Sequence, residues 1–164
     1  MGQEQRPMGM EDNLAVVMML VRRSVRAALR EAVREEGLTQ NEIEVLLFLE
    51  RGKFDTARDI SRVRGMPRSL VSKAVDQLVK GGMIEACQDK LDRRVVRLRL
   101  LPPAQDLVKK LVAARKEFFN QLCQGITKEE AAAFYSMVEK MTKNLDQNKF
   151  LSEDVPEERK EESV

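Results

Sequence analysis

The sequence has no histidine and no tryptophan, and it has only two cysteines and one tyrosine in 164 residues. Because histidine is the commonest acid–base group and metal ligand near neutral pH, we expect neither His-based catalysis nor a zinc site. Cys87 and Cys123 lie far apart and belong to no recognisable motif. We therefore interpret them as packing cysteines in a reducing compartment, rather than as a disulfide framework or redox sensors.

Long apolar runs are also missing. The run Leu14–Val21 has acidic residues before it and two arginines after it. It is too short to span a bilayer, and its flanks are the reverse of those of a secretory signal. A Gly-rich phosphate loop and an evident nucleophile–base pair are lacking as well. We therefore predict a cytoplasmic protein with no membrane partner, no cofactor and no enzymatic activity, and a small enzyme is the least supported alternative.

Two short helices joined by a tight turn are indicated in the middle of the chain. Thr56 and Asp59 have the spacing of a capping box, in which the Thr hydroxyl accepts a backbone N–H and the Asp side chain reaches back. Ile60 and Val63 form the predicted inward face of the first helix. Gly65 allows the positive φ that a sharp turn needs. Such a pair is a helix-turn-helix, whose second helix enters the DNA major groove.

The second helix of this pair separates an apolar face from a polar one. Its predicted inward residues are Leu70, Val71, Ala74, Val75 and Leu78. Its outward residues are candidates for direct base readout, because Arg and Lys suit guanine edges and Ser suits several base edges. These candidates are Arg68, Ser69, Ser72, Lys73 and Gln77. The alternative interpretation of the polar face is a solvated helix surface.

A basic β-hairpin is predicted next. Residues 96–100 alternate between apolar side chains and arginines, which is typical of a half-buried strand with a basic outer face. Pairing this strand with residues 83–88 leaves a tip that carries Lys90, Arg93 and Arg94. The alternative for these cations is a charged turn without a function. Beside a recognition helix, however, such a hairpin is a wing that follows the phosphates or probes the minor groove.

Basic residues are concentrated in this part of the chain. Residues 58–99 contain eleven Lys and Arg against five Asp and Glu, a local net charge of +6, whereas the whole chain carries +2. This concentration is the electrostatic footprint of a polyanion partner. The predicted phosphate-binding residues, which would orient the protein without reading sequence, are Arg58, Arg62, Arg97 and Arg99.

The segment resembles the winged helix-turn-helix of the MarR family of bacterial and archaeal transcription regulators, and the resemblance extends over about residues 12–147. It rests on Leu38-Thr39, Thr56-Ala57, Asp59-Ile60, Leu70–Leu78, Gly82–Glu85, and Asp92-Arg93-Arg94 followed by Leu98 and Leu100. Leu101 departs from the family pattern, which usually has Thr there, and this weakens the predicted start of the next helix.

The resemblance implies a homodimeric regulator, most often a repressor, that binds a pseudo-palindromic site in double-stranded DNA. In the family, an Asp-x-Arg in the wing directs its Arg into the minor groove with the Asp orienting it, which here implies Asp92 and Arg94. In family members, DNA affinity is often modulated by a small aromatic or anionic effector that binds between the dimer helices and the winged helix-turn-helix units. Candidate residues for such a cleft are Met18, Met19, Phe48, Phe134 and Tyr135, which also fit a simple core.

Residues 12–148 are expected to form one mainly α domain with a single β-hairpin wing. Its winged helix-turn-helix spans residues 39–101 and is flanked by predicted dimerisation helices at 12–36 and 103–148. We infer dimerisation because these helices have apolar faces with no partner inside the winged segment. The alternative for 12–36 is a helix central to a monomeric core.

The remaining predictions concern the termini, one short extended segment and a rival function. Residues 1–11 and the charged tail 149–164 are expected to be disordered. Lys53–Asp55 is expected to lie extended, as a minimal third strand. A winged helix can also serve as a protein–protein adaptor, but an adaptor face should expose apolar patches rather than the basic surface predicted here.

Overall fold

The computed structural model describes residues 9–52 and 54–147, which form six helices and two strands. The helices are α1 (Met10–Ala32), α2 (Gln40–Glu50), α3 (Ala57–Arg64), α4 (Arg68–Lys80), α5 (Pro102–Leu122) and α6 (Lys128–Gln147). The strands β1 (Ile84–Gln88) and β2 (Val96–Leu100) pair antiparallel, with Ile84 opposite Leu100. The mainly α fold class with one β-hairpin wing is therefore confirmed. The disorder predicted for 1–8 and 149–164 falls outside the described residues.

Capping side chains begin the helices around the winged segment. At α2, the Thr39 hydroxyl accepts the Glu42 N–H at 3.4 Å while the Glu42 carboxylate accepts the Thr39 N–H at 2.6 Å. At α3, the Thr56 hydroxyl accepts the Asp59 N–H at 3.1 Å and donates to the Asp59 carboxylate at 2.6 Å. These bonds satisfy N–H groups that have no partner inside the helix, and this is why local sequence located both starts.

The first helix begins and ends earlier than predicted. α1 starts at Met10, inside the segment expected to be disordered, and ends at Ala32 rather than Glu36. Val33 leaves the helical region with a φ of −127° and a ψ of 31°. It is nevertheless buried, with 1% of its surface exposed. The apolar periodicity therefore continues past the last hydrogen-bonded turn, so periodicity alone placed the end of the helix too late.

The core lies around α2, which is buried on nearly every side. Its buried apolar residues are Ile43, Val45, Leu46, Leu47, Phe48 and Leu49. α4 and α5 pack against this helix, and the hairpin contributes Ile84 and Leu98 to the same core. The recognition helix and the base of the wing are thus anchored to one shared apolar cluster.

Two apolar residues predicted to face inward are exposed. Ile60 is fully buried, whereas Val63 on the same helix is 46% exposed. In α4, Val71 is buried but Leu70 is 41% exposed. Successive residues of a helix are about 100° apart, so Leu70 lies at the edge of the apolar face and beyond the packed contact. Both side chains therefore belong to the surface of the winged helix-turn-helix.

The segment before α3 touches the wing without forming a strand. The Asp55 carbonyl accepts the Leu98 N–H of β2 at 2.7 Å. Residues 54–55 have no strand conformation, so the predicted third strand is reduced to this bond, and Lys53 lies outside the described residues. Among the helices described here, none has the length and the apolar content required to cross a bilayer.

Candidate nucleic-acid interface

The turn between α3 and α4 fixes the recognition helix. Gly65 has a φ of 62°, which is the left-handed conformation that glycine adopts without a Cβ penalty. The Met66 N–H donates to the Ser61 carbonyl at 3.0 Å, and the Ser61 hydroxyl donates to the Met66 carbonyl at 2.7 Å. These bonds set the angle between the helices, while the buried residues of α4 hold its inner face on the core.

The outer face of α4 carries all the predicted base-reading side chains. Arg68, Ser69, Ser72, Lys73 and Gln77 are all exposed. Arg68 and Ser72 line a cavity of about 520 Å³ together with Ala57 and Arg58 of α3. One predicted phosphate-binding residue, Arg58, is thereby brought beside two predicted base-reading residues. Arg62, at the other end of α3, is half-buried.

Asp89, which sequence reasoning overlooked, organises the tip of the wing. Its Oδ1 accepts the Leu91 N–H at 2.8 Å and the Asp92 N–H at 3.0 Å. Its own N–H donates to the Val95 carbonyl at 2.9 Å. The two accepted N–H bonds and a further one from Arg97 lower the pKa of Asp89 from 3.8 to about 2. An Asp at the start of a turn is a known local signal, and it could have identified this residue.

Asp92 acts on the backbone of Arg94 rather than on its guanidinium. The Asp92 Oδ1 accepts the Arg94 N–H at 2.9 Å. The contact between the two predicted residues is therefore made through the backbone of Arg94, and the insertion of its side chain into the minor groove stays a prediction. The Lys90, Arg93 and Arg94 side chains are exposed. The tip thus presents three cations from a turn held by two aspartates.

Arg97 forms two ion pairs within the protein, which sequence analysis did not predict. Its Nη1 lies 2.6 Å from Asp55 Oδ1, and its Nε lies 2.8 Å from Asp89 Oδ2. Hydrogen bonds to Asp55 and then to Asp89 raise the pKa of Arg97 above its usual range. The Nε and Nη1 groups of Arg97 are thus engaged within the protein, and the side chain ties the wing to the segment before α3. Arg99, by contrast, is exposed.

The predicted effector residues separate into a cleft and a core. Met18 and Met19 line an open cleft of about 680 Å³ whose other walls are Arg22, Arg23, Arg26, Arg30 and Gln40. Phe48 does not reach this cleft, because it is 5% exposed in the core, with the Arg64 guanidinium 5.9 Å from its ring centroid. Phe134 and Tyr135 are exposed on α6 and do not line the cleft.

A network of polar side chains, which sequence analysis did not predict, connects this cleft to α3. Glu44 of α2 lies 3.7 Å from Arg26 Nε and 3.8 Å from Arg64 Nη1. Gln40 donates to the same carboxylate at 3.2 Å. Burial lowers the pKa of Arg64, and Glu44 opposes this effect. The side chains come from three helices, so their spacing in the sequence gives no signal.

In the part of the chain that the structure describes, no metal-binding cluster is formed and the two cysteines are not paired. These residues contain no group of three or more His, Cys, Asp or Glu side chains that could hold a metal ion. Both cysteines are free thiols. Cys87 is half-buried, in keeping with packing, whereas Cys123 is exposed and so does not fill the packing role predicted for it within one chain.

The sequence is similar to that of known transcriptional regulators. Residues 36–95 match the family model described as MarR family. The chain is 26% identical over 112 residues to an uncharacterised HTH-type transcriptional regulator, YsmB of Bacillus subtilis (strain 168), covering 68% of this chain and 77% of that protein. The segment that matches the family model runs from the loop before α2 through the wing tip, and so contains the whole helix-turn-helix.

Solved structures share the fold. A MarR-family transcriptional regulator from Silicibacter pomeroyi is 24% identical and superposes with a TM-score of 0.74, covering 87% of this chain and 97% of that one. BpsR of Bordetella bronchiseptica is 18% identical with a TM-score of 0.64, covering 83% and 97%. The family and these relatives are transcriptional regulators and not enzymes. Over residues 36–95 the chain is thus similar to the MarR family of transcriptional regulators, and it shares the fold of solved structures from that family.

Proposed function

We propose that the protein is a homodimeric repressor that reads a pseudo-palindromic operator, with α4 in the major groove and the wing in the minor groove. The proposal is supported by the presence of two basic surfaces, on α4 and on the wing, in one packed unit. The exposed polar face of α4 and the ordered cationic wing tip are anchored to the same core. Helices suit the major groove, and inserted arginines sense the width of the minor groove. Because the proposed target is chromosomal DNA, we also propose that the protein acts in the cytoplasm.

The dimer is proposed from apolar residues that one chain leaves uncovered. No side chain from Lys128 to Leu145 is buried, and in this stretch only Ala131 and Met141 are half-buried. Large exposed apolar residues on α1, α5, the following loop and α6 include Leu14, Val17, Leu20, Phe119, Leu122, Ile126, Phe134, Met137, Val138 and Leu145. An exposed set of this size marks an interaction surface. A second copy fits it, because a two-fold axis pairs the same helices with themselves.

Two-fold symmetry sets the geometry of the operator. Recognition helices of such dimers enter successive major grooves about 34 Å apart, so two inverted half-sites should be separated by one helical turn. We assign repression from the family resemblance. Deleting the gene should therefore raise transcription from the promoter that carries the operator, and a fall in transcription would contradict repression.

We further propose that an anionic small molecule modulates DNA affinity from the arginine-lined cleft. Four arginines and two methionines give this cleft cationic walls with an apolar part, which suits an aromatic acid. The DNA binding of the structural relative BpsR is regulated by 6-hydroxynicotinic acid. An anion that engages Arg26 would compete with Glu44, which also contacts Arg64 at the end of α3. Such a ligand shifts DNA affinity only by binding two dimer shapes unequally.

The DNA proposal is tested by fluorescence anisotropy on fragments of the protein's own promoter across a salt series. Arg68→Ala and Arg94→Ala are compared with wild type, and Lys116→Ala on α5 is the control for an exposed cation outside the interface. We expect one fragment to bind tightly and each interface variant to lose about 1–3 kcal/mol. Lys116→Ala should bind like wild type.

Weak binding that is equal on all fragments and insensitive to Arg68→Ala and Arg94→Ala would contradict sequence reading. The adaptor alternative would then be preferred. The exposed basic surfaces of α4 and the wing disfavour it now, since the large apolar residues left exposed are mostly on α1, α5 and α6.

A further inference from the structure

The most exposed large apolar side chain on the protein lies at the tip of the wing. Leu91 is 99% exposed, more than any other large apolar residue in the described part of the chain. Single exposed leucines are common on protein surfaces and need no function. Leu91 differs because its backbone is held in place and three exposed cations share the tip with it.

The backbone around Leu91 is fixed by hydrogen bonds from both sides. The Leu91 N–H donates to Asp89 Oδ1 at 2.8 Å, and the next N–H, of Asp92, donates to the same atom at 3.0 Å. The Val95 N–H donates to the Asp92 carbonyl at 2.9 Å and closes the turn. A tip that is already ordered loses little conformational entropy on binding. Leu91 is thus presented to solvent by a pre-organised turn.

The surroundings of Leu91 define the chemistry of its partner. Lys90 precedes it, Arg93 and Arg94 follow within the same tip, and all three side chains are exposed. An apolar side chain among three cations complements a narrow anionic channel with apolar walls. The DNA minor groove has this character, since phosphates line its rims and sugars its walls. Apolar side chains such as leucine are known to insert there at base steps.

We propose that Leu91 inserts into the minor groove of the operator and is a specificity-determining residue of the wing. The inference rests on the proposed placement of the wing in that groove and goes beyond the arginine contact. Arg94 supplies attraction that depends on salt, while Leu91 supplies an apolar contact that does not. An apolar wedge is sensitive to the guanine 2-amino group, which protrudes into the groove only at G·C pairs.

The test compares Leu91→Ala, Leu91→Met and Val96→Ala on the wild-type operator. Val96 is the control because it is an exposed apolar residue of the same hairpin, 45% exposed and away from the tip. We expect Leu91→Ala to weaken operator binding about tenfold, which corresponds to losing part of one leucine burial. The slope of log K against log salt should not change, because no phosphate contact is lost. Leu91→Met should restore most of the affinity, and Val96→Ala should bind like wild type.

A second arm changes the DNA at the base pairs beneath the wing, located by hydroxyl-radical footprinting. Replacing A·T by G·C there should weaken wild type more than Leu91→Ala, and I·C, which lacks the 2-amino group, should restore wild-type binding. Because Leu91 is exposed, thermal unfolding of the variant should match wild type and exclude a folding defect.

The outcomes separate this inference from the proposed function. Wild-type affinity of Leu91→Ala on every DNA, with loss of binding in Arg94→Ala, would overturn the inference alone. An absence of specific binding by wild type would overturn the proposed function as well. A salt slope reduced by Leu91→Ala would also contradict an apolar wedge.

Discussion

The reading head, residues 39–101, and the terminal helix α6 differ in how far their apolar residues are buried. In α2 every apolar residue is buried, whereas in α6 the large residues Phe134, Met137 and Val138 are 56%, 46% and 39% exposed. One region is therefore stabilised by contacts within its own chain, whereas the other leaves an apolar face that the proposed second copy would cover. In the proposed dimer, reading DNA and holding the two heads at a fixed distance are separate tasks of separate parts of the chain. We therefore expect substitutions in α6 to impair dimerisation, and substitutions in the reading head to impair folding stability or DNA binding.

The largest effect is expected where a charge is placed on the uncovered face of α6. Phe134→Glu should weaken dimerisation by about 3–5 kcal/mol, because the carboxylate would be buried in the interface without a partner. Sedimentation equilibrium measures the monomer–dimer constant. The matched control is Ser136→Glu, which places the same charge about 200° away around the helix. Equal dimerisation of both variants would contradict the assignment of this face.

Within the reading head, the contrast between a covered and an uncovered residue can be tested on one helix. Ile60→Ala should lower the free energy of unfolding by about 2–4 kcal/mol, because it leaves a cavity in the core beneath α3. Val63→Ala, three residues along and 46% exposed, should change it by less than about 1 kcal/mol. Urea denaturation at a fixed protein concentration measures both. Similar losses in the two variants would contradict the packing described here.

Arg97 and Arg94 are expected to support operator binding in different ways, because Arg97 positions the wing whereas Arg94 contacts the DNA. Arg97→Ala should weaken operator binding by about 1 kcal/mol through loss of the ties to Asp55 and Asp89, while the salt slope stays at the wild-type value. Arg94→Ala should lower the magnitude of the slope by about 0.9, the value for one phosphate contact. The same anisotropy titrations measure both quantities. A slope reduced by Arg97→Ala would restore the phosphate-binding role that the sequence first indicated.

The smallest effect is the pH dependence of the wing tip. The pKa of Asp89 is lowered from 3.8 to about 2, so the ionised carboxylate is the form that holds the turn. Its contribution is fully present above pH 4 and is lost as the pH falls through about 2. The carboxyl chemical shift of Asp89 should titrate near pH 2, and the Leu91 and Asp92 amides should lose protection in step. Asp89→Asn should remove this dependence, and a midpoint near pH 4 would contradict the hydrogen bonding.

Local signals in the sequence located much of the fold. Thr39 and Thr56 marked the starts of two helices, because a capping side chain bonds within its own helix. Most of the inward face of α4 was also predicted, since that helix packs on one side only. Leu70 was misassigned because it lies at the edge of that face, where periodicity cannot decide.

The environments that the sequence did not reveal depend on distant partners. The ion pairs of Arg97 were not predicted, because nothing near it reveals Asp55, forty-two positions earlier. Phe48 fitted either an effector cleft or the core, because α2 is buried all round and its apolar pattern has no preferred face; the structure places it in the core. The contacts of Arg26, Glu44 and Arg64 join three helices and exist only in the folded protein. In each case tertiary packing, rather than local sequence, determines the environment.

In the proposed dimer, the terminal helices hold two reading heads at one fixed distance, so that both bind one operator together. The most direct measurement is the affinity for operators in which five base pairs, about half a helical turn, are inserted between the half-sites. We predict that the insertion reduces binding to the level of an isolated half-site, with wild-type affinity only at the native spacing. Binding that is tight and independent of the spacing would contradict the account, since it would mean that each chain reads DNA alone.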